Sequence, residues 1–154
     1  NLLSGADSAM SIKALSAAKA LMRSQKAAAE GGKGRALNIR PGFVLVPIEL
    51  EDTALQLINS TSVPSAGANS GISNPLKGFA EVIGEPRLSD SDVAQWFLAA
   101  QGGDTVEVAY LDGMDAPWIE QQEGFTVDGV TTKVRIDAGV SALDHRGLVK
   151  AAGK

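Results

Sequence analysis

Residues Thr105–Lys150 read TVEVAYLDGMDAPWIEQQEGFTVDGVTTKVRIDAGVSALDHRGLVK. From Val130 the side chains alternate: Val130, Thr132, Val134, Ile136, Ala138 and Val140 on one side, Thr131, Lys133, Arg135, Asp137 and Gly139 on the other. Period-2 alternation marks a half-buried β-strand. Asp128-Gly129 stands just before it and suits the positive φ of a tight turn. Upstream, Ile119, Gln121, Glu123, Phe125 and Val127 alternate against Trp118, Glu120, Gln122, Gly124 and Thr126. Residues 118–127 and 130–140 therefore predict one long hairpin. Its register puts Val134 and Ile136 in the core and Lys133 and Arg135 at the surface or an interface. Val134→Asp is then expected to destabilise the fold.

One arm of this hairpin is unusually polar. A polar edge strand ordinarily guards against unwanted pairing; it can also be a surface that meets a neighbour. Working outward, Val93–Ala100 and Thr105–Leu111 flank Gln101-Gly102-Gly103-Asp104 and predict a second hairpin, with Val106, Val108 and Tyr110 facing one way. The first arm of that pair has a helical alternative, because Ser89-Asp90-Ser91-Asp92 is rich in N-cap residues.

The earlier chain mixes helical and strand patterns, so the expected class is α+β. Residues 8–29 predict a helix with an apolar stripe of Ile12, Leu15, Ala18 and Met22, Lys13, Lys19, Arg23 and Lys26 outside, and Gly31-Gly32 as its stop. A basic amphipathic helix can meet a membrane or nucleic acid, or pack one face on a sheet. Residues 43–46 predict a short buried strand closed by Pro47. Residues 49–60 predict a helix with an acidic first turn and Leu50, Ala54, Leu57 and Ile58 inward. A Ser/Gly/Asn/Pro-rich loop covers 61–78, a strand 79–85, and strands 94–100 and 105–111 follow. A loop of that length inside a domain is either functional or a solvent connection.

The bulk numbers narrow the function. The 154 residues suffice for one domain with a real core, with 44% hydrophobic and 21% charged residues, as in ordinary globular proteins. A net charge of −4 gives no electrostatic case for gripping nucleic acid. The absence of cysteine excludes disulfides, thiol chemistry and thiolate metal sites. No apolar run is long enough for a membrane span, and no secretion signal opens the chain. Asn59-Ser60-Thr61 then reads as a chance glycosylation sequon.

Catalytic signatures are equally thin. The one histidine, His145, sits between Asp144 and Arg146, and no Gly-x-Ser-x-Gly elbow surrounds a serine. Gly31-Gly32-Lys33-Gly34-Arg35 lacks the spacing of a phosphate loop. Asp112-Gly113-Met114-Asp115 is too short for a calcium loop and reads as a turn. Glu120 and Glu123, three apart on a strand, point to opposite faces and cannot converge as a catalytic carboxylate pair. Asp144-His145-Arg146-Gly147 is the densest polar cluster. It reads either as a charged turn ended by glycine or as a source of an intersubunit ion pair through Arg146. The expected catalytic, cofactor and metal residues are therefore none; Glu120, Glu123, Asp144 and Arg146 are candidate interface charges.

An ordered series of short motifs adds a resemblance. It comprises Asn38-Ile39-Arg40-Pro41 before a run ending in Val46-Pro47, then Asn59-Ser60-Thr61, Asn74-Pro75-Leu76 and Pro86-Arg87-Leu88. Val108–Gly113, Pro117 with Glu120–Phe125, and Asp144–Leu148 complete it. Over about 37–150 the chain resembles the Mu-like tailed-phage major head subunit family. The resemblance implies an HK-97-like capsid fold, with an axial domain and part of a peripheral domain. It implies pentamers and hexamers of an icosahedral shell around the genome, a place in the virion, and host cytoplasm during assembly. It implies partnership with other capsid subunits, with scaffold, portal and maturation protease as further partners, and neither specific nucleic-acid contact nor membrane. The expected division is 1–36 helix and glycine-rich connector, 37–150 capsid core and 151–154 flexible tail. The family's N-terminal arm and extended loop are not recognisable, so the chain is expected to be a C-terminal portion, monomeric or weakly associating alone. The alternatives are an encapsulin-type shell protein and the capsid portion of a capsid–maturation-protease fusion.

Overall fold

A computed structural model of the chain describes residues 1–28, 34–63, 72–102, 105–124 and 128–154. In chain order the elements are β1 (Leu2–Leu3), α1 (Ile12–Arg23), β2 (Pro41–Val46), α2 (Ile48–Asn59), β3 (Glu81–Gly84), α3 (Pro86–Ser89) and β4 (Trp96–Ala100). They continue with β5 (Val106–Tyr110), β6 (Trp118–Glu123), β7 (Val130–Arg135), β8 (Ala138–Ala142) and β9 (Leu148–Ala151). The α+β expectation holds. The chain forms two compact units, Asn1–Thr105 with Asp144–Lys154, and Val106–Leu143.

The first unit is a five-stranded sheet in the order β1-β9-β4-β2-β3 with helices on one face. β2 and β3 are parallel and joined through α2, as a parallel pair requires; β4 runs antiparallel to both β2 and β9. In register, Val44 lies opposite Leu98 and Leu98 opposite Val149, so one face carries Val44, Val46, Trp96, Leu98, Val149 and Ala151, all buried. The apolar stripes of α1 (Leu15, Ala18, Met22) and α2 (Ala54, Ile58) join the same core. Ile12, Leu50 and Leu57 pack at its margin, so both stripes read from the sequence face inward. Trp96 is fully buried and its Nε1 donates to the Ser8 carbonyl at 3.0 Å.

Several boundaries move for identifiable reasons. α1 begins at Ile12, where the Ser11 side chain accepts from Ala14 N, and it stops at Arg23 rather than near 29. Beyond it Gln25 O accepts from Leu37 N at 2.8 Å and Ala27 N donates to Arg35 O at 2.9 Å. That pairing overrides the helix propensity of the alanines. The expected glycine stop at Gly31-Gly32 lies outside the described residues, as do residues 64–71 of the 61–78 loop. The buried Asn74 closes α2: its Nδ2 donates to the Leu57 and Ser60 carbonyls at 2.7 and 3.1 Å, and its Oδ1 accepts from Leu76 N. β3 is shorter than 79–85, and β4 is the strand rather than the helical alternative.

The hairpin expected between 94–100 and 105–111 does not form. β4 takes both its partners from distant sequence, and β5 pairs with β8. The compact units also cut the chain differently from the segments 1–36, 37–150 and 151–154. Residues 1–28 belong to the first unit's core, Ala151 is buried in β9, and Lys154 N donates to Ser8 Oγ at 3.0 Å.

The second unit holds two separate two-stranded sheets, β5–β8 and β6–β7. The expected hairpin of 118–127 with 130–140 is present as β6–β7, from Trp118 opposite Arg135 to Glu123 opposite Val130. Phe125, Thr126 and Val127 lie outside the described residues. The long second arm is in fact two strands, broken at Ile136-Asp137, with β8 turning to β5. Val134 and Ile136 are 62% and 51% exposed, which corrects their assignment to the core. The alternation was real, but among the described residues of the second unit no second layer covers it.

Two substitutions separate the units energetically. Trp96→Ala should lower the unfolding free energy by about 3–5 kcal/mol, the usual cost of truncating a buried aromatic. Val134→Asp should change it by no more than about 0.5 kcal/mol, as for an ordinary surface position. Urea titrations of both variants check this; a large loss in Val134→Asp would return that strand to the core.

Candidate functional site

The second unit presents the chain's unusual surface. In β5–β8, Val106 lies opposite Ala142, Val108 opposite Val140 and Tyr110 opposite Ala138. Directly opposed residues share a face, so one side of this sheet is wholly apolar. It is also exposed: Val106 50%, Val108 51% and Val140 71%. The other side carries Glu107 opposite Ser141 and Ala109 opposite Gly139.

The β6–β7 hairpin divides its chemistry similarly. One face pairs Trp118 with Arg135, Glu120 with Lys133 and Gln122 with Thr131. Arg135 lies over the Trp118 ring, 5.4 Å from its centre, and its Nε meets Asp137 at 3.2 Å. The opposite face pairs Ile119 with Val134, Gln121 with Thr132 and Glu123 with Val130. Glu120 and Glu123 thus lie on opposite faces, as their spacing on a regular strand requires. A two-stranded sheet with an exposed apolar face is marginal in water by itself, and such a face marks a contact surface.

Charge is concentrated in the same unit. Two basic residues, Lys133 and Arg135, stand against seven acidic ones, Glu107, Asp112, Asp115, Glu120, Glu123, Asp128 and Asp137, which leaves −5. The whole chain carries −4, so the first unit is at +1. An open cavity of about 320 Å³ lies within the second unit, lined by Leu111, Asp112, Met114, Trp118, Arg135, Asp137 and neighbours. No serine, histidine or lysine lines it.

Asp144 and Arg146 belong to the first unit, Glu120 and Glu123 to the second. Asp144 caps the 3-10 turn His145–Gly147 by accepting from Arg146 N at 2.9 Å. Its carboxylate also takes Arg146 Nη2 at 2.7 Å and Nε at 2.8 Å. Both readings of the cluster remain physically compatible, but Arg146 already has a carboxylate in its own chain. Gly147 is the last residue of the turn, and it has no room for a Cβ, which would strike the Thr105 side chain and crowd Ala100. His145 is exposed, with Nδ1 3.9 Å from Asp144, and among the described residues its ring makes no hydrogen bond to a hydroxyl. Among the described residues no cluster of three metal-binding side chains occurs, and no helix is long and apolar enough to cross a membrane.

Sequence reasoning missed two surfaces. The apolar face of β5–β8 was visible as the alternation Val106, Val108, Tyr110, but the wrong partner strand was assigned to it. The second is a cavity of about 310 Å³ in the first unit, lined by Lys19, Arg23, Arg40, Pro41, Phe79 and Gln101. Its residues are dispersed in sequence, and only the fold brings them together.

A protein-family model described as phage capsid protein matches residues 1–151. No curated protein and no solved structure matches the chain.

Three carboxylates of the first unit contribute to an acid response: Glu85 and Asp144 pair with arginines two residues on, and Asp92 pairs with the distant Lys154. Asp144 is held below its ordinary range by the Arg146 side chain and then by Arg146 N–H. The Ala94 N–H, followed by the Lys154 ammonium, does the same for Asp92; the Arg87 guanidinium does it for Glu85. A carboxylate with a depressed folded-state pKa stabilises fully above its unfolded value, near 4, and loses that contribution as pH falls through the folded value. Melting temperature should therefore drop below about pH 4. The combined Asp92→Asn and Asp144→Asn variant should show a shallower acid limb in a thermal-melt series. An unchanged limb would place the acid response in other carboxylates.

Proposed function

Because the chain belongs to the phage capsid protein family and is a structural subunit of the phage head, we propose that it builds that shell in the HK-97-like manner. In this reading, subunits of the Mu-like head type close into pentamers and hexamers of an icosahedral lattice around the genome. The virion is where capsid family members reside; assembly in the host cytoplasm is part of the proposal. Self-assembly with other capsid subunits is the family's mode of action, and scaffold, portal or maturation protease are proposed as transient companions. The chain's contribution is taken to be mechanical rather than catalytic. Alone, it is proposed to be a monomer or weak oligomer.

One observation carries the reading from family to surface: the apolar face of β5–β8 is exposed among the described residues. Its burial would wait for a neighbour. A shell repeats each contact with symmetry, so modest contacts per subunit suffice. We place Glu120 and Glu123 at the borders of such contacts, where charge sets specificity more than affinity. Asp144 and Arg146 would meet a neighbour as a preformed pair, with the remaining guanidinium N–H groups as donors.

Heads produced with Val140→Asp test this. The substitution puts a carboxylate on a face that a neighbour must desolvate. Particles should disappear under electron microscopy while circular dichroism of the purified chain stays unchanged. Arg146→Glu should impair particles more mildly. Normal heads from Val140→Asp would remove β5–β8 from the assembly surface.

A further inference from the structure

We infer that the Leu111–Asp115 turn of one subunit seats in the Lys19–Arg23–Arg40–Phe79 cleft of a second copy, an inference that rests on the capsid-subunit reading above. The cleft is about 310 Å³ and joins three cations to an apolar wall of Pro41 and Phe79. Lys19 Nζ stands 5.6 Å from the Phe79 ring centre, and Arg23 Nε donates to the neutral Asn38 Oδ1 at 2.8 Å. Among the described residues, none of the three cations has a carboxylate within ion-pair distance. Glu81 enters only at the adjoining cavity, beyond Pro41, Phe79 and Gln101. Three like charges around one cleft repel, and an anion inserted among them relieves that repulsion.

The turn has the complementary chemistry. Leu111 and Met114 are 61% and 56% exposed, and Asp112 and Asp115 have no cation within ion-pair distance among the described residues. Asp112 (φ 53°) and Gly113 (φ 71°) both occupy the left-handed region, which fixes the turn's shape. A non-glycine residue there is an uncommon conformation. Two carboxylates and two apolar side chains thus match three cations, a proline and a phenylalanine. The occupant is a second copy because the unit bearing the turn is at −5 and the rest of the chain at +1. Turn and cleft are different surfaces, so the contact is head-to-tail, the kind that closes into rings.

The absence of cysteine allows a direct test. Chains carrying Met114→Cys and Gln101→Cys are mixed at high protein concentration under mild oxidation. A mixed disulfide between the two variants is expected in low salt and should be lost in high salt, which screens exposed charges. Lys19→Glu with Arg40→Glu in the Gln101→Cys chain should abolish it. Asp112→Lys with Asp115→Lys in the Met114→Cys chain should then restore it. If light scattering shows self-association, or microscopy shows heads, without the mixed disulfide, this contact is wrong and the capsid reading stands. If neither the mixed disulfide nor a head forms under any condition, both fail. A cleft that gives no mixed disulfide but binds a labelled single-stranded oligonucleotide, and loses it on charge reversal, would be a nucleic-acid contact and overturn the proposal.

Discussion

The antiparallel pairing of β4 with β9 is the constraint on which the rest of the chain depends. Ala99 lies opposite Leu148, and Asp144 N reaches toward Thr105 O at 3.5 Å. The sheet of the first unit is therefore completed only after the whole second unit has been traversed. Closing so long an excursion costs chain entropy, though that cost grows slowly with length. It is offset where β9 buries Val149 and Ala151 against the core around Trp96 and Leu98. The Asp144 cap, the glycine at 147 and the Ser8–Lys154 bonds are the local devices that hold the return strand. The excursion itself must start and finish side by side, and the pairing of Val106 with Ala142 does that.

How legible this was in the sequence follows from which forces are local. The stripes of α1 and α2 and the short strand ending at Val46 were readable because period and burial agree within one element. The β6–β7 hairpin was readable because its two arms are adjacent. The partner of β4 was not, because adjacency suggested Thr105–Leu111 while the pairing went to β2 and β9. The end of α1 was misjudged for a similar reason: alanine propensity is local, whereas the pairing of Lys26 with Ala36 is not. Among the motif residues, Asn74 has a structural task as the cap of α2, and Arg87 N donates to the Glu85 carboxylate that caps the start of α3. Their spacing in sequence was visible; the groups they serve, the Leu57 and Ser60 carbonyls and the Glu85 carboxylate, were not.

The misplacement of Val134 and Ile136 has a deeper cause. Alternation reports that one face of a strand avoids water, and it says nothing about which molecule provides the cover. In the first unit the cover is α1 and α2. In the second unit no described element supplies it, and Val134 stays 62% exposed. A pattern that would mean a buried core in a monomer can thus mean a buried contact in an assembly. The basic cleft shows the converse limit: Lys19, Arg23, Arg40 and Phe79 form no sequence motif and converge only through packing.

This division of labour fits the physics of a repeating shell. A subunit that buried every apolar face would be stable and would have no reason to associate. One that exposed its main core would aggregate before assembling. Here the core is finished within the unit that contains both ends of the described chain, and the uncovered faces belong to small sheets that bury little of their own. The acid-rich surface around those faces adds repulsion between identical patches. Two such units therefore disfavour meeting face to face, and a contact with a differently charged surface is favoured instead. Charge asymmetry between −5 and +1 in one chain favours the pairing of unlike surfaces over like ones, the distinction that separates head-to-tail from self-complementary contacts in general.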